Sequence, residues 1–255
     1  MPGNEIAVAK EIVRNIGFNL NHLGPIKHLA VYTSEGVKKI STASEIDTYL
    51  KADDSYKKAD FLVNNQGISV KQSGGSKLQN KIQRKYLPRV FNHLSLNDEE
   101  SNSIIKKLDA HIKNYHKGKV PRDIHWEKII SESAFKKLLE HFLMIGSQVK
   151  LESVARADFI LIDNKIPSIN SMQVLTLDEF YDLYKEKINF AARPTWTNQG
   201  SASESKRALG LAKDPGNGPW VFNGSVCHHS SGEPRSGWNR KAKNKKTCYY
   251  FDISV

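Results

Sequence analysis

Cysteine is nearly missing from this chain: among 255 residues only Cys227 and Cys248 carry a thiol. Two cysteines cannot build the disulfide framework of a small secreted scaffold, and they are too few for a closed four-thiolate zinc ribbon. No apolar run approaches the ~18 residues needed to span a bilayer. The opening MPGNEIAVAKEIVRNIG reads as a charged amphipathic helix rather than a signal peptide. The expected setting is therefore cytoplasmic, with no membrane partner. The GxxxxGKS/T spacing of a nucleotide-binding loop is absent, as are strong repeats and long low-complexity tracts. Acidic residues are also scarce. The 27 Asp and Glu stand against 38 Lys and Arg, a formal net charge of +11. Such an excess favours nucleic acid or an anionic surface over a neutral small molecule. The apolar fraction of 39% is low but sufficient for a core, and the length suits one large domain or two small ones.

Periodicity predicts a helix over residues 4–16, with Ala9, Ile12, Val13 and Ile16 on one face, Glu5 on that face near its start, Asn4 as cap and Gly17 as terminator. Strands are expected at 28–33 and 38–41 around a Glu35-Gly36 turn, then a short helix over 42–50 opened by a Thr42/Glu45 capping box. Asp60–Val63 and Ile68–Gln72 read as a hairpin turned by Asn64-Asn65-Gln66-Gly67, with Gly67 available for a positive φ. A helical pattern broken at Pro88 is expected over Lys77–Phe91, then a long helix capped near Asn97, and another over about Glu132–Met144. Residues 157–174 suggest a second hairpin, followed by a helix from Leu177 to Lys187. Loops and short strands are expected from Pro194 to Gly237, and a strand at the C-terminal end.

The first hairpin carries the chemistry. Cutting a phosphodiester needs a divalent cation on the non-bridging oxygens, a deprotonated water near phosphorus and a stabilised leaving oxygen. Magnesium takes hard oxygen ligands and keeps several waters, so one or two carboxylates plus substrate phosphate suffice. Asp60 supplies a carboxylate. Strand alternation sets Ser69 and Lys71 on one face and Val70 on the other, with the Val70 carbonyl between them as a further metal ligand. Lys71 can hold and polarise a water, or bind the scissile phosphate. The chain contains its own control: Ala157-Asp158-Phe159 echoes Ala59-Asp60-Phe61, yet Ile169 stands where a lysine would be. An aspartate on a hairpin is therefore common, and its combination with an inward lysine is what distinguishes the first copy.

On Asp60 and Ser69-Val70-Lys71, set strand–turn–strand behind a helix bearing Glu5, the chain resembles the PD-(D/E)xK nuclease superfamily, and more narrowly its type II restriction endonucleases. The resemblance covers the segment up to about Phe91 and rests on a short, degenerate motif. It implies an α/β, restriction-endonuclease-like fold: a central mixed β-sheet flanked by helices. In that family the Asp and the (D/E) residue bind the metal, the Lys orients the nucleophilic water, and a helical Glu often completes the site. Carried over, Asp60 takes the first role and Lys71 the third. Ser69 replaces the usual acid, and Ala59 the proline. Glu5 is the best substitute ligand; Glu11 is weaker because it falls off the apolar face.

Around this core, Gln72, Ser73 and Ser76 can press hydroxyls and backbone N–H groups on a phosphate, or simply form a flexible link. Lys77, Lys81, Arg84, Lys85 and Arg89 form either a DNA-tracking flank or a solvated helix face. Arg235, Asn239 and Arg240 are side-chain types that read base edges, within a basic run that can equally be solvated charge. Cys227-His228-His229 with Cys248 matches no standard zinc spacing.

The expectation is a nuclease core over 1–190 and a basic, loop-rich region over 191–255 for DNA recognition, with the two allowed to form one domain. The expected activity is Mg2+-dependent site-specific cleavage of double-stranded DNA by a homodimer, since a two-fold protein matches a palindromic site. A cognate DNA methyltransferase would be its functional companion. The alternatives are a non-catalytic sequence-specific DNA-binding protein, and a repair or homing nuclease of the same fold.

Overall fold

The computed structural model describes residues 4–50, 57–73, 80–196, 202–223 and 246–255. In chain order the main elements are α1 (Glu5–Arg14), β1 (Leu29–Thr33), β2 (Gly36–Ile40), α2 (Ala43–Tyr49), β3 (Phe61–Val63), β4 (Gln66–Gln72), β5 (Asn80–Ile82), α3 (Leu87–His93), α4 (Asp98–His116) and β6 (Asp123–His125). There follow α5 (Glu132–Glu140), β7 (Phe159–Asp163), β8 (Gln173–Leu175), α6 (Leu177–Tyr184), β9 (Asn189–Trp196), α7 (Ala202–Lys213), β10 (Val221–Asn223) and β11 (Lys246–Ser254). The chain divides into two compact units. Unit 1 holds Met1–Leu78, Lys136–Glu186 and Val255; unit 2 holds Gln79–Phe135 and Lys187–Ser254. The chain therefore crosses between units at 78/79, 135/136 and 186/187, with Val255 returning to unit 1.

Unit 1 is an α/β unit around a six-stranded mixed sheet in the order β8-β7-β4-β3-β1-β2. The pairs are antiparallel except β4–β7, which run parallel with Ile68 opposite Phe159 and Gln72 opposite Asp163. A parallel pair needs a long crossover, and the chain between β4 and β7 is long enough to carry α3, α4 and α5. One sheet face packs Phe61, Val63, Ile68, Val70 and Leu161 against Val8, Ala9, Ile12 and Val13 of α1; of the expected stripe, Ile16 lies past the helix end and is exposed, and Val8 takes its place in the core.

The β3–β4 turn is built differently from the expectation. Asn64 and Asn65 take the positive φ values, 52° and 68°, the backbone of a two-residue primed turn. Gly67 lies inside β4. A Cβ there would overlap the Arg156 carbonyl oxygen and crowd Ala59 and Ala157, so this glycine lets the approach to β7 pass close over the hairpin. The Asn64 side chain fixes the turn, accepting from Lys27 N at 2.8 Å and donating to Leu23 O at 3.0 Å and Pro25 O at 2.9 Å.

Three further expectations change. Asn4 does not cap α1; its Nδ2 donates to Asn164 O at 2.7 Å. The helical pattern expected over Lys77–Phe91 resolves into strand β5, a short turn of helix and then α3, with Pro88 in the first turn, where its missing N–H costs nothing. The region after 190 also holds more regular structure than expected. β9 runs through Pro194, tolerated because β6 pairs only with Asn189–Ala191 and leaves that part of the edge open. Twelve-residue α7 follows, buried through Ala208 and Leu211.

In unit 2, β11 is paired with β9 along its length, and on its other side with β10 near one end and β5 near the other. Its Tyr249, Phe251 and Ile253 face an aromatic core with Phe190, Trp220 and Tyr115. Gly67→Ala is expected to lower unit 1 stability by about 1–3 kcal/mol through overpacking; an unchanged denaturation midpoint in urea would remove the close-approach argument.

Candidate functional site

The C-terminal half of β4 organises the site. Ile68 and Val70 point into the core beneath α1, so Ser69 and Lys71 share the opposite face. Asp60 sits one residue before β3, and its N–H donates to Ile68 O at 2.8 Å, which aligns it beside Ser69. Its carboxylate then crosses to the next strand: Asp60 Oδ2 accepts from Val70 N at 2.7 Å. The Lys71 ammonium donates to Ser69 Oγ at 2.8 Å and to Val70 O at 3.0 Å. Aspartate and lysine thus bond the N–H and the carbonyl of the same residue, Val70.

A second cation, not singled out from the sequence, belongs to this group. Lys58 is half-buried, donates from Nζ to Phe142 O at 2.6 Å, and lies close enough to Asp60 and Lys71 for charge to pass among the three. Backbone bonds from Lys58 N and Ala59 N to Ala155 O, both 2.9 Å, fix the bend that carries Lys58.

Electrostatics strain the group in a way typical of functional sites. Burial pushes the Asp60 carboxyl up to about 6; Lys71 and the Val70 N–H pull it down, Glu5 pushes it up again, and Lys58 pulls it down. The influence of Glu5 puts the first turn of α1 within electrostatic reach of Asp60. Burial pushes Lys58 down to about 8, helped by the like charge of Lys71 and opposed by Asp60. Between its ordinary value of 3.8 and about 6 the folded Asp60 holds a proton that the unfolded chain releases. Its contribution to stability therefore falls as pH rises through that window.

Of the residues expected as metal ligands, the Asp60 carboxylate and the Val70 carbonyl lie together, and Glu5 acts on Asp60 electrostatically. Among the described residues no three His, Cys, Asp or Glu side chains gather as a metal-binding set. This donor set fits magnesium, which needs few protein ligands, and does not fit a closed zinc site. Glu11 is committed elsewhere: its Oε1 accepts from Ile169 N at 3.3 Å and Asn15 Nδ2 at 3.2 Å. Asp158, the second copy of the motif, caps Gly67 N at 2.6 Å.

The expected DNA-contacting residues have separate fates. Gln72 ends β4 opposite Asp163, and Ser73 Oγ donates to Asn164 Oδ1 at 2.9 Å. Lys81 lies on β5 of unit 2, exposed. Arg84, expected on a DNA flank, is committed to a two-point pair with Asp109, at 2.8 and 3.2 Å, and Trp220 Nε1 binds the same carboxylate at 2.7 Å. Lys85 is likewise paired with Asp214 at 2.7 Å. Ser76, Lys77, Arg235, Asn239 and Arg240 lie outside the described residues, as do Cys227, His228 and His229. Cys248 is buried, with its thiol donating to Ala208 O at 3.4 Å and pushed up to about 11 by burial, which makes it a poor metal ligand.

Searches against protein-family models, curated proteins and solved structures returned no match to this chain. No helix among the described residues is long and apolar enough to cross a membrane.

Lys71→Met and Lys58→Met should both raise the Asp60 titration point, Lys71→Met by more, because its charge acts more strongly on the carboxyl. Carbon-detected NMR titration of the Asp60 carboxyl measures this, and a titration point unmoved by Lys71→Met would break the proposed coupling.

Proposed function

We propose that this protein is a magnesium-dependent endodeoxyribonuclease of the PD-(D/E)xK type, acting on double-stranded DNA as a type II restriction endonuclease. The supporting observation is that Asp60 and Lys71 both bond the backbone of Val70, carboxylate on its N–H and ammonium on its carbonyl. The strand–turn–strand setting and a glutamate within electrostatic reach on the preceding helix agree with the same reading.

In this reading Asp60 and the Val70 carbonyl hold Mg2+, with Glu5 in place of the acid that Ser69 lacks. The bound cation supplies charge neutralisation at the phosphate and water activation. Lys71 holds the attacking water or the scissile phosphate, and Lys58 adds positive charge that offsets the pentacoordinate transition state. The water oxygen bonds to phosphorus, the bond to the 3′ oxygen breaks, and that oxygen takes up a proton, leaving a 5′-phosphate and a 3′-hydroxyl. Two strands need two sites, so the working form is a homodimer, and a companion DNA methyltransferase would protect the host target.

Plasmid incubation with Mg2+, followed by fragment-end sequencing, tests the activity. Asp60→Ala is expected to abolish cutting, and Lys71→Ala to slow it by on the order of 100-fold or more; wild-type rates in either variant reject its role. Salt-sensitive DNA binding with no Mg2+-dependent cutting would instead favour a non-catalytic DNA-binding protein. Glu5→Gln should raise the Mg2+ requirement, and an unchanged requirement dismisses Glu5 as a ligand.

The acid limb of cutting offers an independent check. Asp60 must lose its proton to take the cation, so activity should fall as pH drops through about 6. Because metal and proton compete, raising Mg2+ should move that limb to lower pH. A limb that ignores Mg2+ concentration contradicts ligation by Asp60.

A further inference from the structure

The second face of the unit 2 sheet carries an arrangement that the nuclease chemistry does not use. Cys248, Tyr250 and Asp252 alternate on β11 with the core-facing Tyr249, Phe251 and Ile253. Lys81 of β5 and Ala191 of β9 lie opposite Asp252 on its two sides, Asp123 of β6 opposite Ala191, and Arg193 opposite Tyr250. Residues directly opposite one another share a face, so Lys81, Arg193, Tyr250, Asp252 and Asp123 form one charged surface. α7 covers the Cys248 end, where Ala208 O meets the thiol. This places Arg207, the neighbour of Ala208, close enough to Lys81 for their charges to act on each other.

Asp252 is the floor of this surface. It is 8% exposed, its Oδ2 accepts from Arg193 Nε at 3.0 Å, and its buried Oδ1 has no hydrogen-bond partner. Lys81 and Arg122 also act on it electrostatically. Arg122 is itself held by Asp123 at 2.6 and 2.8 Å. Arg193, Lys81 and Arg122 thus act on Asp252, with Arg122 also held by Asp123, and positive charge lies on the solvent side, where Lys81 and Arg207 are exposed and the Arg193 side chain is 31% exposed. The Lys81 ammonium lies 5.1 Å from the Tyr250 ring centroid.

We propose that this sheet face of unit 2 seats the phosphodiester backbone of DNA, with Lys81, Arg193 and Arg207 contacting phosphates, Tyr250 beside them, and Asp252 as a positioning residue for Arg193. Several cations reaching solvent along one strand face match a repeating polyanion better than a single small anion. Arg, Lys and Tyr are side chains that bond phosphate oxygens and position a protein on a duplex. The contacts carry no base information, so the face contributes affinity and register rather than target choice. The inference rests on the reading of the protein as a DNA enzyme, but it concerns binding alone.

The test is therefore made without divalent metal. Fluorescence anisotropy with a labelled DNA duplex, across a series of salt concentrations, compares the full chain with the double variant Lys81→Ala/Arg207→Ala. Both side chains are exposed, so folding should be retained, and thermal unfolding checks this. Each phosphate contact contributes about 0.9 to the slope of log affinity against log salt. The double variant should therefore lose a slope of about two, with affinity lowered alike for unrelated sequences. An unchanged slope overturns the proposal, as does absence of salt-dependent binding by the unaltered chain. Tighter binding to an RNA duplex of equal length overturns the assignment to DNA. Plasmid cutting by the unaltered chain is scored separately, so loss of the nuclease reading and loss of this surface remain distinguishable.

Discussion

Everything proposed for unit 1 depends on a carboxylate that is kept from full solvation yet not neutralised. Asp60 is drawn into the sheet by one backbone bond, to Val70 N. Burial pushes its carboxyl up, and Lys71, the Val70 N–H and Lys58 restrain the rise to about 6. The same burial presses Lys58 toward its neutral form. Both shifts run against folding stability at neutral pH. Such a cost is expected where charge is held ready for chemistry rather than for packing.

The surrounding architecture makes that arrangement possible. β4 is an interior strand, paired on one side with β3 and on the other with parallel β7, so its backbone is fixed from both edges. Gly67 lets the chain entering β7 pass close enough for Asp158 to cap the strand at its start, much as Asp60 binds it further along. Two carboxylates thus hold one strand, and the difference between them is Lys71. Unit 2 applies strand alternation to a different end. One face of β11 supplies aromatic core, and the other gathers arginine and lysine around the sunken Asp252.

Much of unit 1 could be read directly. The Thr42/Glu45 capping box and the Asn97 cap are local patterns and occur where the residues placed them; the α1 stripe is shifted, with Val8 buried and Ile16 exposed, and the β1–β2 turn falls one residue early, at Ser34-Glu35. The Asp60–Lys71 pair was legible because a tight hairpin and period-two alternation bring those positions together without help from the rest of the chain. Reading failed where distant segments decide. Asn80–Ile82 carries a helix-compatible sequence but becomes a strand because β11, far along the chain, offers it an edge. Arg84 looked like a DNA contact until the fold brought Asp109 and Trp220 to it. Lys58 was overlooked because its carbonyl partner, Phe142, lies 84 residues away.

By itself, then, the sequence determined the short-range items: which segments are amphipathic, where turns and caps fall, the excess positive charge, and the shared face of Asp60, Ser69 and Lys71. These follow from helical and strand periods and from bonds spanning a few residues. Only the tertiary structure decided which charges are buried, which cations are committed to ion pairs, and which strands become neighbours. Solvation and charge pairing depend on what the rest of the chain brings within a few ångströms, and no local pattern encodes that distance.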